Sequence, residues 1–446
     1  MMTMVRKILS NTAVLLFVAA AGFSVSCYRQ RIDPDGNEGY DKVMILYSAG
    51  FNNLSPYLAQ NVEDLEKGYI PDKKDRNVLL VVSRRTRRND PYNYKDETAP
   101  YLFRLYRQKD AVVRDTLWSL PVGTTLLDKD AMRGFLTKIQ DLFPAEHYGM
   151  LFSSHSNGWL PSGYYSKPSA FDGRSGVRRL SGPIPAVIPD SEAPGFILTK
   201  SLGPESYKMS GNSTDTFSHE MEVADMAAAI PMHLDYLIFD TCLMGGVEVA
   251  YELKDVADQI GFSQAEVLAE GLNYRTVAGH LLQGTSDPES VCRDYYLQYD
   301  KQSGDMHSAT VSLVDCSRLG ELAEACKPLF AKYRDAIRAL DKKQVQGFGG
   351  SRKPWYFDLE DMLRQAGATQ EERASVEEAL GRCVPYKAHT GQYYSMYEGP
   401  GNSSGTVKIT AFCGLSMYLP GESAGSSYLD TFYKTLSWNK ASGLVE

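Results

Sequence analysis

The sequence predicts an α/β fold with a central, mostly parallel sheet and a C-terminal α/β extension. Three observations point to it. Four near-continuous apolar runs, at residues 42–48, 77–83, 148–154 and 234–240, have strand length and little polar alternation, the pattern of strands buried on both faces. Amphipathic segments separate them, such as residues 54–67 with Leu54, Leu58, Val62 and Leu65 at helical spacing. Two of the runs end in reactive residues followed by glycines, at the carboxyl edge where open α/β sheets place their ligands.

Taken in order, residues 101–120 alternate as a hairpin and residues 128–143 form a helix that Asp128 can cap. Residues 160–217, dense in Pro, Gly and Ser, exceed the length of ordinary connections and read as a surface insertion. A helix is expected over 215–230, another over 247–256, a short strand at 259–263, helices at 277–282 and 290–299, and a strand at 308–314. Residues 315–340 read as one helical region that Pro328 breaks or kinks. Beyond it, 355–359, 406–411 and 414–420 mix strand and helix. The main domain is placed at 41–310, and 311–446 is a C-terminal α/β region packed on it.

The 446 residues, 43% hydrophobic and 23% charged, exclude disordered, collagenous and polytopic membrane classes. A formal charge of -8 without a long basic run argues against nucleic-acid binding. Residues 1–26 carry a short basic part (Arg6, Lys7), an apolar run and small residues before Cys27, which resembles a bacterial lipoprotein signal with Cys27 as the acylated first residue. An ordinary secretory signal is the alternative. Residues 27–40 then form a tether, and the location is the cell envelope, lipid-anchored at the outer membrane or cell surface, or secreted. Cys242, Cys292, Cys316, Cys326, Cys383 and Cys413 have no paired spacing, so neither a disulfide framework nor a zinc site is signalled.

Chemistry centres on two segments. His155-Ser-Asn-Gly158-Trp159 ends one strand, and Asp240-Thr-Cys242-Leu-Met244-Gly-Gly246 ends the next, just before a helix. Parallel neighbouring strands would bring imidazole and thiol to one edge, with a helix N-terminus favouring the thiolate and glycine-turn N–H groups, around Gly158 and near Cys242, available for an oxyanion. Each residue alone reads as an ordinary core cysteine or structural histidine; the joint placement favours function. His219, His233, His280, His307 and His389 have no partner at useful spacing and read as structural.

These segments resemble the clostripain family of cysteine peptidases, in the caspase-like group, as do Trp355-Tyr-Phe-Asp-Leu359 and Gly414-Leu-Ser-Met-Tyr-Leu-Pro420. Ser156 stands where the family commonly has glycine, and residues 264–274 lack a Pro-Gly-rich turn many relatives show. The resemblance implies a caspase-like α/β/α sandwich and an endopeptidase with Cys242 as nucleophile and His155 as general base and acid, cutting after Arg or Lys. Asp240, two residues before Cys242, is the first choice for the acid that recognises that cation; the alternative is a cap for the following helix. Glu270 and Glu266 are further candidate acids, and Glu248 buttresses the site or pairs with a base. No cofactor is expected, calcium being the one ion the resemblance leaves open, and the partners are peptide or protein substrates, with a monomeric chain. Relatives can cut themselves between the His and Cys strands, which nominates Lys167, Arg174, Arg178, Arg179, Lys200 and Lys208. The competing reading is a surface lipoprotein that binds peptides without turnover.

Overall fold

The computed structural model describes residues 39–86, 98–164, 199–200, 205–208, 216–351, 354–398, 404–421 and 426–446. Cys27, the signal segment, most of the 160–217 insertion and the candidate cut sites Lys167, Arg174, Arg178 and Arg179 lie outside them. Among the described residues no helix is long and apolar enough to cross a membrane.

The first half of the chain forms β1 (Tyr40–Gly50), α1 (Ser55–Glu66), β2 (Asn77–Arg85), β3 (Tyr101–Gln108), β4 (Ala111–Ser119), α2 (Lys129–Leu142) and β5 (Ala145–Ser153). A small hairpin follows, β6 (Glu205–Lys208) and β7 (Thr216–His219), then α3 (Val223–Ala229), β8 (Leu234–Asp240), α4 (Val247–Leu253) and β9 (Ala257–Phe262). Next come α5 (Tyr274–Leu282), α6 (Pro288–Asp300), β10 (Thr310–Asp315) and α7 (Leu319–Arg338). The chain ends with β11 (Phe357–Asp358), α8 (Leu359–Gln365), α9 (Gln370–Cys383), β12 (Tyr386–His389), β13 (Gln392–Ser395), β14 (Gly405–Lys408), β15 (Ser416–Met417), α10 (Ser426–Tyr433) and α11 (Ser437–Ser442).

Nine strands make one sheet in the order β12-β10-β9-β8-β5-β1-β2-β3-β4. The five central strands, β9 to β2, are parallel, and antiparallel pairs extend both edges. The apolar runs explain the centre. Met44, Ile45, Leu79, Leu80, Met150, Leu151, Leu234 and Leu237 are fully buried, as they must be with helices covering both faces. Asp128 does cap α2, its carboxylate accepting from the N–H groups of Asp130 and Ala131.

Four expectations need correction. The stretch 215–230 is not one helix: β7 pairs with β6, and only the seven residues of α3 are helical. Helix α7 runs through Pro328 without a break, beginning after a short 3-10 turn at Cys316–Arg318. The division at 310/311 falls at the start of β10, and β10 and β12 complete the same sheet, so residues from Tyr40 to Glu446 make one unit. Finally, α4 starts at Val247, five residues beyond Cys242 and only seven residues long, so no helix N-terminus acts on the Cys242 thiol.

Buried carboxylates tie the C-terminal part to this sheet. Glu248 accepts from the backbone N–H of Tyr418 and the hydroxyl of Tyr433, both at 2.8 Å. Burial pushes its pKa up from the ordinary 4.5 to about 7, and burial likewise raises Asp358 to about 6. A folded state that holds this proton more tightly than the unfolded chain has its full stabilisation below about pH 4.5 and loses it as pH rises to about 7. Relative to Glu248→Gln, the wild type should therefore lose on the order of 1–3 kcal/mol between pH 4.5 and 8, read as urea midpoints. Parallel curves for the two proteins would remove Glu248 from this account.

Candidate active site

The register of the two central strands sets the site. Ser153 of β5 pairs with Asp240 of β8, so His155 and Cys242 each lie two residues past a paired position, at the same carboxyl edge. Both are buried. After Cys242 the chain turns through Leu243, whose φ of 61° is unusual for a leucine. Leu243 N–H then meets the Ala265 carbonyl at 3.0 Å and Gly245 N–H the Ser263 carbonyl at 2.7 Å, fixing the cysteine turn against residues 263–265. The N–H of Val267 points at Cys242 Sγ at 3.0 Å.

His155 Nε2 lies 2.6 Å from Oδ1 of the buried Asn53, in the loop after β1. An amide oxygen only accepts, so this bond puts the ring proton on Nε2 and leaves Nδ1 as the basic atom. Asn53 was not found by sequence reasoning. Its signal was positional, since β1 is the other neighbour of β5.

Lys200 joins this edge through Asp240, Val267 and Ser156. The residue is fully buried and its ammonium pairs with Oδ2 of the fully buried Asp240. The same ammonium meets Ser153 Oγ at 3.1 Å, and Asp240 Oδ2 also accepts from Ser153 Oγ at 2.9 Å and Tyr274 Oη at 2.6 Å. Burial, then the Asp240 charge, hold the Tyr274 phenol well above its ordinary pKa, so it remains a donor. The Lys200 backbone is held too: its N–H donates to the Val267 carbonyl at 2.8 Å, and its carbonyl accepts from Ser156 N–H at 3.3 Å. Val267 thus binds the Cys242 sulfur through its N–H and the Lys200 amide through its carbonyl.

The remaining sequence candidates separate. Asp240 is not a helix cap, because α4 begins seven residues later. Gly158 N–H is taken by Ser156 Oγ at 3.1 Å, and the N–H that meets the Lys200 carbonyl belongs to Ser156. Gly158 is needed instead for close approach, since a Cβ there would overlap the Leu243 carbonyl. Glu270 is exposed. Glu266 is fully buried and reaches Thr199, not Lys200. Lys208 lies in β6. Cys292 and Cys383 are pushed up to about 12 by burial, and Cys316, Cys326 and Cys413 higher still, which keeps all five as neutral thiols. None of the six described cysteines is in a disulfide. His233, His280 and His307 each face an aspartate.

Gly271, also missed by sequence reasoning, closes the pocket around the Lys200 ammonium. Its φ is 69°, and a Cβ there would overlap both Asp240 carboxylate oxygens and the ammonium itself. Gly271→Ala should lower kcat/KM for cationic substrates by roughly a hundredfold, mostly through KM, because the pocket is filled. Unchanged kinetics in peptide assays would place the pocket elsewhere.

A buried thiol and imidazole at the carboxyl edge of a parallel sheet, beside the buried Lys200–Asp240 pair, suit the chemistry of a cysteine peptidase. Comparison with known proteins gives the family: the model of the clostripain family matches residues 203–444, more than half the chain, and the chain belongs to that family. Among solved structures, the inactive zymogen C11 protease from Parabacteroides distasonis is 25% identical, with 90% of this chain and 98% of that chain covered and a TM-score of 0.70. A secreted C11 cysteine protease from Bacteroides thetaiotaomicron, solved with an irreversible peptide inhibitor, shares the fold at 23% identity, with 90% of this chain and 99% of that one covered and a TM-score of 0.69. No curated protein sequence matches the chain. The protein is a cysteine endopeptidase, acting on peptide or protein substrates.

Proposed function

We propose that the chain hydrolyses peptide bonds after Lys or Arg with Cys242 as nucleophile and His155 as base and acid, and that it first does so on itself, after Lys200. The observation that carries this reading is the posture of Lys200. Its ammonium is buried on Asp240, its N–H is bound by Val267 and its carbonyl lies on Ser156 N–H, which is how a peptidase would hold the residue before a scissile bond. In this mechanism His155 Nδ1 takes the thiol proton, the thiolate attacks the carbonyl carbon, and Ser156 N–H stabilises the oxyanion. The imidazolium then protonates the leaving amine, and water hydrolyses the acyl-enzyme.

Of the six basic residues nominated in the insertion, Lys200 alone is supported by described contacts. Until the bond is cut, its side chain occupies the cation pocket and excludes other substrates. The description of the Parabacteroides distasonis relative as an inactive zymogen fits this order of events. Acylation at Cys27, with the chain tethered to the envelope by residues 27–40, rests on the sequence; a Cys27→Ser chain should lose lipid incorporation and membrane association.

The specificity is tested by a peptide-library cleavage profile on purified protein. Lys and Arg should dominate the position before the cut. Efficient cleavage after Asp or a large apolar residue would overturn the reading, and no turnover of any peptide would favour the binding-lipoprotein alternative.

A further inference from the structure

Thr199 precedes Lys200 and forms an antiparallel bridge with Leu268, so the two residues run along 267–268 as a short substrate strand. Thr199 is fully buried, and its hydroxyl donates to Glu266 Oε2 at 2.6 Å. The carboxylate that receives it is built in, not a flexible surface acid. It is fully buried, its Oε1 accepts from Ser395 Oγ at the end of β13, and its Oε2 also accepts from Met396 N–H at 3.3 Å. Ser395 Oγ is itself held by Tyr397 N–H at 3.0 Å.

We infer that Glu266 is a specificity-determining residue, forming a subsite that selects a hydroxyl-bearing side chain, Thr or Ser, immediately before the Lys or Arg at the cut. This rests on the reading of Lys200 as the residue before the scissile bond. A site built to hydrogen-bond a hydroxyl rejects the isostere that lacks it, because the buried acceptor then loses the nearer of its two donors. An acidic side chain is rejected further, by like charge at close range. Glu266 therefore acts one residue away from the cation pocket, and separately from Asp240.

The test uses the wild-type enzyme and peptides that differ only in the residue before Lys: Thr, Ser, Val and Asp. Thr should exceed its isostere Val in kcat/KM by roughly ten- to a hundredfold, with Ser close to Thr and Asp lowest. In Glu266→Ala the Thr/Val ratio should fall to within about threefold, while the preference for Lys over norleucine at the cut is retained. Glu266→Gln, which keeps an acceptor, should retain part of the Thr preference. Equal rates for Thr and Val in the wild type, or a Thr/Val ratio unmoved by Glu266→Ala, would overturn the inference. Both outcomes leave Lys cleavage intact and so separate from failure of the parent reading, in which no Lys peptide is cut. The wild-type comparison stands even where a variant does not fold.

Discussion

Replacing Cys242 by alanine is expected to abolish hydrolysis of Lys and Arg peptides, a loss of 10⁴-fold or more by order of magnitude, while leaving the fold intact. In the proposed mechanism the sulfur is the attacking atom, and the five other described cysteines are neutral, buried thiols. Its neighbours hold it through backbone groups, Val267 N–H above all, so the smaller side chain removes chemistry without removing the turn. His155→Ala should do comparable damage. The two losses should not add, because proton transfer and attack belong to one unit. Substantial turnover in either folded variant, followed by peptide hydrolysis and circular dichroism, would refute the assignment.

The second large effect is expected at Asp240. In Asp240→Asn the pocket keeps its shape, and Ser153 and Tyr274 keep an oxygen to donate to, but a substrate cation would be buried without its counter-charge. Removing one partner of a buried pair costs about 3–5 kcal/mol, so kcat/KM for Lys and Arg substrates should fall on the order of a hundredfold or more. Self-cleavage after Lys200 should slow in parallel, because it uses the same pocket. A profile still dominated by Lys and Arg at wild-type efficiency would assign the cation to another acid, and Glu270, exposed and adjacent in sequence to Gly271, would be next to examine.

Most of the frame was legible in the sequence. Strands buried on both faces leave apolar runs that cannot be misplaced by much, and β8 was expected at 234–240, where it lies. The period of two that put Asp240 on the same side as Cys242 would equally have put Ser153 with His155, and Ser153 does contact the Lys200 ammonium. Other features were hidden for physical reasons. Asn53 lies 102 residues before His155, and Gly271 comes from a loop outside both strand ends, and no local pattern encodes such closure. Helix α4 begins at Val247, where the sequence places it, but the turn through Leu243 leaves that start five residues past Cys242, too far to act on the thiol. Pro328 does not break α7, where Leu329 and Phe330, just after it, are buried.

The central claim is that Lys200 is held as the first substrate of Cys242. Intact-mass measurement of wild type and Cys242→Ala, purified side by side, tests it most directly. The account predicts two wild-type fragments, one ending at Lys200 and the other beginning at Ser201, held together through the shared sheet, and a single uncut chain for Cys242→Ala. A wild-type chain that stays whole while cleaving Lys peptides, or the same cut in both proteins, would contradict it.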